Sequence, residues 1–236
     1  MRSGGRHLFG LAAICFGLGT LVRHDFIAQV EPPGAFPQVG LVIAAVGVAA
    51  LLGGTALQTR RYQRVGAAVL ALLYAMFTAL WLPQWLRDPA VFDPLGNAFE
   101  QFAMVSGALI LFGASTARIG YVGFALSVIS FALYQAIRPH FTAQLVPAWI
   151  PPGQMFWLVV TTLAFALAAI ALLTGRAALP AARMTALMIA GFGVTIWVPA
   201  VFANPHSLPD WSELILNFGI CGSAWIVADD LAGRQA

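Results

Sequence analysis

The chain has very little charge. Of its 236 residues only 9% are Asp, Glu, Lys or Arg, and none is lysine. A water-soluble domain is typically about a quarter charged, because its surface faces water. A soluble globule is therefore excluded. Cysteine is scarce as well: Cys15 and Cys221 stand alone inside apolar runs, with no C-x-x-C pair. That excludes a disulfide framework and a cysteine-rich zinc site. The four histidines show no H-x-x-x-H spacing, so no metal or haem motif is present. The twelve arginines, behind a net charge of +3, are scattered between apolar runs and form no patch. A nucleic-acid partner is excluded, and a role in setting membrane orientation fits better.

What the chain does have is apolar sequence. Sixty percent of it is hydrophobic and its mean hydropathy is +0.84. Disorder is incompatible with that content. At about 20 residues per span, eight segments can be drawn, at 7–28, 38–58, 62–86, 97–115, 119–138, 154–174, 181–201 and 211–229. The breaks carry turn chemistry, such as Pro32-Pro33-Gly34, Asp88-Pro89, Pro151-Pro152-Gly153 and Asn204-Pro205. The first segment lacks a cleavage site followed by a soluble domain and reads as helix one rather than a signal peptide.

With eight spans the loops alternate sides. Nine arginines, including Arg60, Arg61, Arg118 and Arg176, fall on the side of the termini, and only Arg23, Arg87 and Arg138 on the other. The positive-inside rule then puts both termini in the cytoplasm. A bacterial cytoplasmic membrane, with the lipid bilayer as principal partner, is the expected location.

An internal repeat runs through the chain. Arg23-x-x-Phe26-x-Ala28-Gln29 recurs as Arg138-x-x-Phe141-x-Ala143-Gln144, an offset of 115. Trp81-Leu82-Pro83 recurs as Trp197-Val198-Pro199, an offset of 116. Asn97-x-x-Glu100 recurs as Asp210-x-x-Glu213. The expected fold class is all-α: a polytopic membrane bundle of eight transmembrane helices, built as two parallel four-helix repeats over 6–117 and 118–232. An even number of spans per repeat gives both copies the same orientation.

Motifs in the second repeat resemble a known family. His140-Phe141, the run Leu145-Val146-Pro147-Ala148-Trp149-Ile150-Pro151-Pro152, the helix end Leu172-Leu173-Thr174-Gly175-Arg176, and Ala181-Ala182-Arg183 together resemble the DoxX-like family. Those are small four-helix membrane proteins, and this chain looks like two of them fused. In the first repeat the motif is degraded, and Asp25 stands where His140 stands in the second. The resemblance implies association with membrane redox systems, such as a quinone reductase subunit or a partner of redox enzymes. It carries over no catalytic residue.

The candidate site lies at the ends of the helices away from the termini: Arg23, His24, Gln29, Glu100, Arg138, His140, Gln144 and Glu213, with Trp81 and Trp197. Ionisable residues in spans are functional candidates because burying them is costly. Each also has a bland reading. Glu100 and Glu213, three residues after Asn97 and Asp210, have capping-box spacing. The two arginines would pair with those glutamates, and the tryptophans would form an interfacial belt. Both thiols would be buried and inert. Two functions lead, ahead of a third in which the chain is a membrane oxidoreductase using its His residues. One is a non-enzymatic subunit or scaffold of a quinone-linked redox system, docking another membrane or peripheral protein. The other is a carrier or binding protein for a small lipophilic or anionic molecule held between the repeats. No cofactor motif is evident; a quinone is the one cofactor the resemblance suggests. Oligomeric state is not legible.

Overall fold

The computed structural model describes residues 4–25, 32 and 40–235. Among them are nine helices and no strand: α1 (Gly4–Arg23), α2 (Gly40–Leu57), α3 (Gln63–Arg87), α4 (Asp93–Phe112), α5 (Ala114–Ile137), α6 (Pro139–Leu145), α7 (Gln154–Thr174), α8 (Ala178–Ala203) and α9 (Leu208–Gln235). All but α6 are long and apolar enough to cross a membrane. The chain is an α-helical bundle of the integral-membrane type.

The eight expected spans match these helices with shifted edges. Helix α4 begins at Asp93, ahead of the expected 97, because Pro94 occupies its first turn, where a missing N–H costs nothing. Helix α9 runs on to Gln235. The weak boundary after α4 is a single residue, Gly113. Helix α6 was not anticipated: seven residues long, it opens on Pro139 and stops where Val146, ahead of Pro147, is extended. At the other end of α7, Gly175 closes the helix in the left-handed conformation (φ 72°) that favours glycine.

The outer surface is apolar, with Leu41, Leu72, Phe202 and Leu163 among its exposed side chains. The interior is rich in smaller ones: Ala13, Ala50, Ala67, Ala103, Ala182 and Ala224 are all buried. This is the pattern of helices that associate in lipid, where close backbone approach and polar contacts replace the hydrophobic effect. Some buried hydroxyls turn back onto their own helix: Ser127 donates to the Gly123 carbonyl (3.2 Å) and Thr185 to that of Ala181 (2.9 Å), which keeps them matched inside the bundle.

The helices pack as a closed ring in the order α1, α2, α3, α4, α5, α7, α8, α9 and back to α1, with α4 and α9 also crossing through the middle. Small residues make that crossing possible: a Cβ on Gly107 of α4 would fall 2.6 Å from the Ser223 hydroxyl of α9. Two further contacts mirror each other. A Cβ on Gly120 (α5) would meet Ile110 of α4 at 2.6 Å, and one on Gly5 (α1) would meet the backbone of Ile226 of α9. These positions lie 115 and 116 apart in sequence.

The buried positions of α3 and α8 follow the same offsets. Ala67, Leu70 and Tyr74 are buried in α3, and Ala182, Thr185 and Ile189 in α8, 115 residues on. Trp81 and Trp197 are 116 apart. The extra residue is absorbed by one π-helical turn, Gly193–Trp197, inside α8. Such turns hold single insertions in α-helices and occur often at functional sites.

Two expectations are corrected here. The crossing of Gly107 with Ser223 sets Glu213 at the level of Asn97, and Leu216 at that of Glu100. The match of Asn97-x-x-Glu100 with Asp210-x-x-Glu213 therefore slips by three residues, close to one helical turn; such a slip keeps the same face, so sequence alone cannot detect it. The thiols also differ: Cys221 is buried and donates to the Ala186 carbonyl at 3.3 Å, whereas Cys15 is exposed on the apolar surface.

Candidate functional site

The residues of α4 and α9 that face the second half of the ring do not close on it. They border a cavity of about 500 Å³ enclosed with α5, α6, α7 and α8. Its deep part is apolar, walled by Phe131, Phe165, Ile189, Phe192, Leu216 and Ile220. Toward the loop end the wall turns polar and acidic, with Asp93, Asn97, Glu100, Asp210 and Glu213. From Pro209 to Ile220 along α9 it spans about 16 Å at 1.5 Å per residue. The cavity is thus amphipathic along its length.

Local structure holds the polar wall in place. Gln135 of α5 is pinned by two hydroxyls of α7, its Oε1 accepting from Thr161 (3.2 Å) and Thr162 (2.8 Å). Helix α6 lies over the loop end of the cavity and contributes Phe141, Thr142 and Leu145 to the wall. The loop that follows is held by Gln154, whose amide donates to the Val146 carbonyl at 2.6 Å, and by Trp157, whose indole N–H donates to Pro151 at 2.9 Å. The π turn of α8 brings Ile196 and Trp197 into the lining.

Several polar groups of this wall have no partner. Glu100 and Glu213 make no hydrogen bond or ion pair with any described residue. The Ser130 hydroxyl, on a residue only 3% exposed, and Oδ1 of both Asn217 and Asp93 are buried without a hydrogen bond. Buried polar atoms are normally paired, so these atoms stand open to hydrogen bonds from whatever occupies the cavity. Among the described residues no Arg or His lines the cavity. Arg138 stands at the exposed rim, its guanidinium donating to Oδ2 of Asp93 at 2.8 Å.

Among the described residues, the corresponding space in the first half is filled. A void of about 10 Å³ remains there, against Phe16, Tyr74, Gln101 and Met104, enough for one water at most. Tyr74 is packed to 2% exposure where the second half has Ile189, and Gln101 is wholly buried where it has the shorter Asn217. Both substitutions put the larger side chain in the closed half.

Of the candidate residues, Glu100, Glu213 and Trp197 share the cavity wall. Arg138 stands at its rim. His140 and Gln144 lie on α6 with exposed side chains, and Arg23 and His24 are exposed at the end of α1. Trp81 is buried inside the first half. Gln29 lies outside the described residues. The expected two-fold cluster is therefore one acidic cavity in the second half. The cap readings are also corrected: α4 starts at Asp93 and α9 at Leu208, so Glu100 lies two turns inside its helix and Glu213 beyond the first turn. Nor do the arginines pair with the glutamates, since Arg138 takes Asp93, which comes first at the helix end.

Sequence reasoning missed Asn217, Ser130, Tyr134 and Gln135 as wall residues, because each reads as an ordinary polar residue of a span. The exchange of Tyr74 for Ile189, at the repeat's own offset of 115, was a usable signal. Compared with known proteins, the chain matches no family model, no curated protein sequence and no solved structure.

Proposed function

We propose that this integral membrane protein binds a small amphiphilic molecule in the cavity of its second half, as a carrier or binding protein rather than a catalyst. The observation that carries the reading is the cavity itself: about 500 Å³, apolar at depth and acidic at its mouth. That size and this mixture of apolar wall and few polar groups are typical of small-molecule sites. The first half, closed by Tyr74, serves as the scaffold against which α4 and α9 are held.

The repeated offsets of 115 and 116, together with the matching order of helix pairs in the two halves, support a tandem duplication in which one copy kept its cavity. DoxX-like membership is proposed on the motif residues of 140–183, of which Phe141, Leu145 and Val146 line the cavity. The arginine distribution supports cytoplasmic termini, with the acidic mouth on the outer side of the bacterial membrane.

Native mass spectrometry of the protein released from its own membranes tests the binding. The wild-type chain is expected to carry a small-molecule adduct that an Ile189→Tyr variant, filled as the first half is filled, has lost. An identical adduct on both proteins would overturn the reading, as would a wild-type chain that emerges bare and takes up no added ligand.

A further inference from the structure

Resting on the binding reading above, we propose that the guest is a cation: a primary amine with an aromatic or alkyl body, its ammonium held between Glu100 and Glu213 and its body in the apolar depth. Charge balance is the first reason. Asp93, Glu100, Asp210 and Glu213 face one cavity, no described Arg or His lines it, and Arg138 at the rim answers Asp93 alone. Carboxylates removed from water need a counter-charge or a set of donors.

For other carboxylates of the described chain that need is met from within. Asp93 takes Arg138, Asp230 takes Arg234 at 2.8 Å, and Asp229 accepts from the Gly5 backbone at 3.3 Å. The two glutamates of the cavity stand out because neither finds such a partner among the described residues.

The second reason is hydrogen-bond type. The unpaired oxygens of Asn217 and Asp93 are acceptors, and a hydroxyl such as that of the deeply buried Ser130 can accept as well. An ammonium, with three donors and no acceptor, suits a wall with such a surplus of acceptors. An anion meets four carboxylates and no lining cation to offset them. A quinone head offers only acceptor oxygens, which an ionised glutamate cannot use. The third reason is the wall: Phe131, Tyr134, Phe165, Phe192 and Trp197 surround the cavity with aromatic rings, the kind of side chain that attracts a cation.

Three probes of one shape separate charge from size: 2-phenylethylammonium, the neutral n-propylbenzene and the anionic 3-phenylpropionate. Binding is measured by equilibrium dialysis against the full chain in lipid nanodiscs, with empty nanodiscs as baseline. The amine is expected to bind saturably and the acid not at all. Glu100→Gln and Glu213→Gln should each weaken the amine about tenfold, the effect of losing one charge-assisted bond. Both should leave propylbenzene unchanged, which also shows that the variants are folded. Equal binding of amine and hydrocarbon, unaltered amine affinity in the variants, or tighter binding of a short-chain benzoquinone would overturn the cation while leaving the cavity reading intact. Failure of all the probes would remove both.

Discussion

Filling the cavity should make the protein more stable and useless as a binder at once. Ile189 lines the cavity at 3% exposure, while Tyr74, 115 residues earlier, fills the matching space in the first half with its ring against Phe9 (centroids 6.0 Å apart). Ile189→Tyr should therefore send a phenol into space that the other half shows can be packed. A buried aromatic side chain covers about 150–250 Å²; if about 50 Å² of that is gained over isoleucine, the return at ~25 cal/mol/Å² is about 1 kcal/mol. That lies within the ~0.5–2 kcal/mol usual for cavity filling. The assay is equilibrium unfolding of both proteins in mixed micelles, run beside the amine titration. Higher stability with abolished binding is expected. A loss of ~1–3 kcal/mol, the usual effect of overpacking, would refute the reasoning, because it would mean that the space is not there to fill.

Four further outcomes follow from the same structure. Gly107→Leu places side-chain atoms where a Cβ already meets Ser223 at 2.6 Å; it should lower stability by ~1–3 kcal/mol in that unfolding assay, whereas Gly40→Leu, with open space around it, should have little effect. Removing the rim pair with Arg138→Ala should cost no more than ~1 kcal/mol, less as salt is added, because both side chains are nearly half exposed. A membrane-soluble maleimide should label Cys15 in the folded protein and reach Cys221 only after unfolding, as counted by mass spectrometry in single-cysteine variants. Finally, a green fluorescent protein fused after Ala236 should fluoresce and a periplasm-dependent phosphatase fused there should be inactive; the reverse would overturn the arginine-based orientation.

Much of this protein is set by its sequence alone. A chain with 9% charge and eight apolar runs can only hide its backbone polar groups in lipid by making helices, so class and helix count follow from composition and spacing. The residues of interest could be named as well: Glu100, Glu213 and Trp197 stand out because a carboxylate in a span is expensive wherever it sits. What those residues do together was decided by packing. Helical periodicity repeats nearly every three to four residues, so a slip of three between the halves leaves the pattern unchanged, and only the Gly107–Ser223 crossing fixes the register. Whether a half closes or stays open depends on side-chain volume across several helices: Tyr74 and Gln101 against Ile189 and Asn217, with one π turn shifting Trp197. Charge in the line of sequence could be counted. The fact that four carboxylates share one cavity and a single arginine, held by Asp93 at the rim, exists only in three dimensions, because counter-charge is a matter of distance and not of order along the chain.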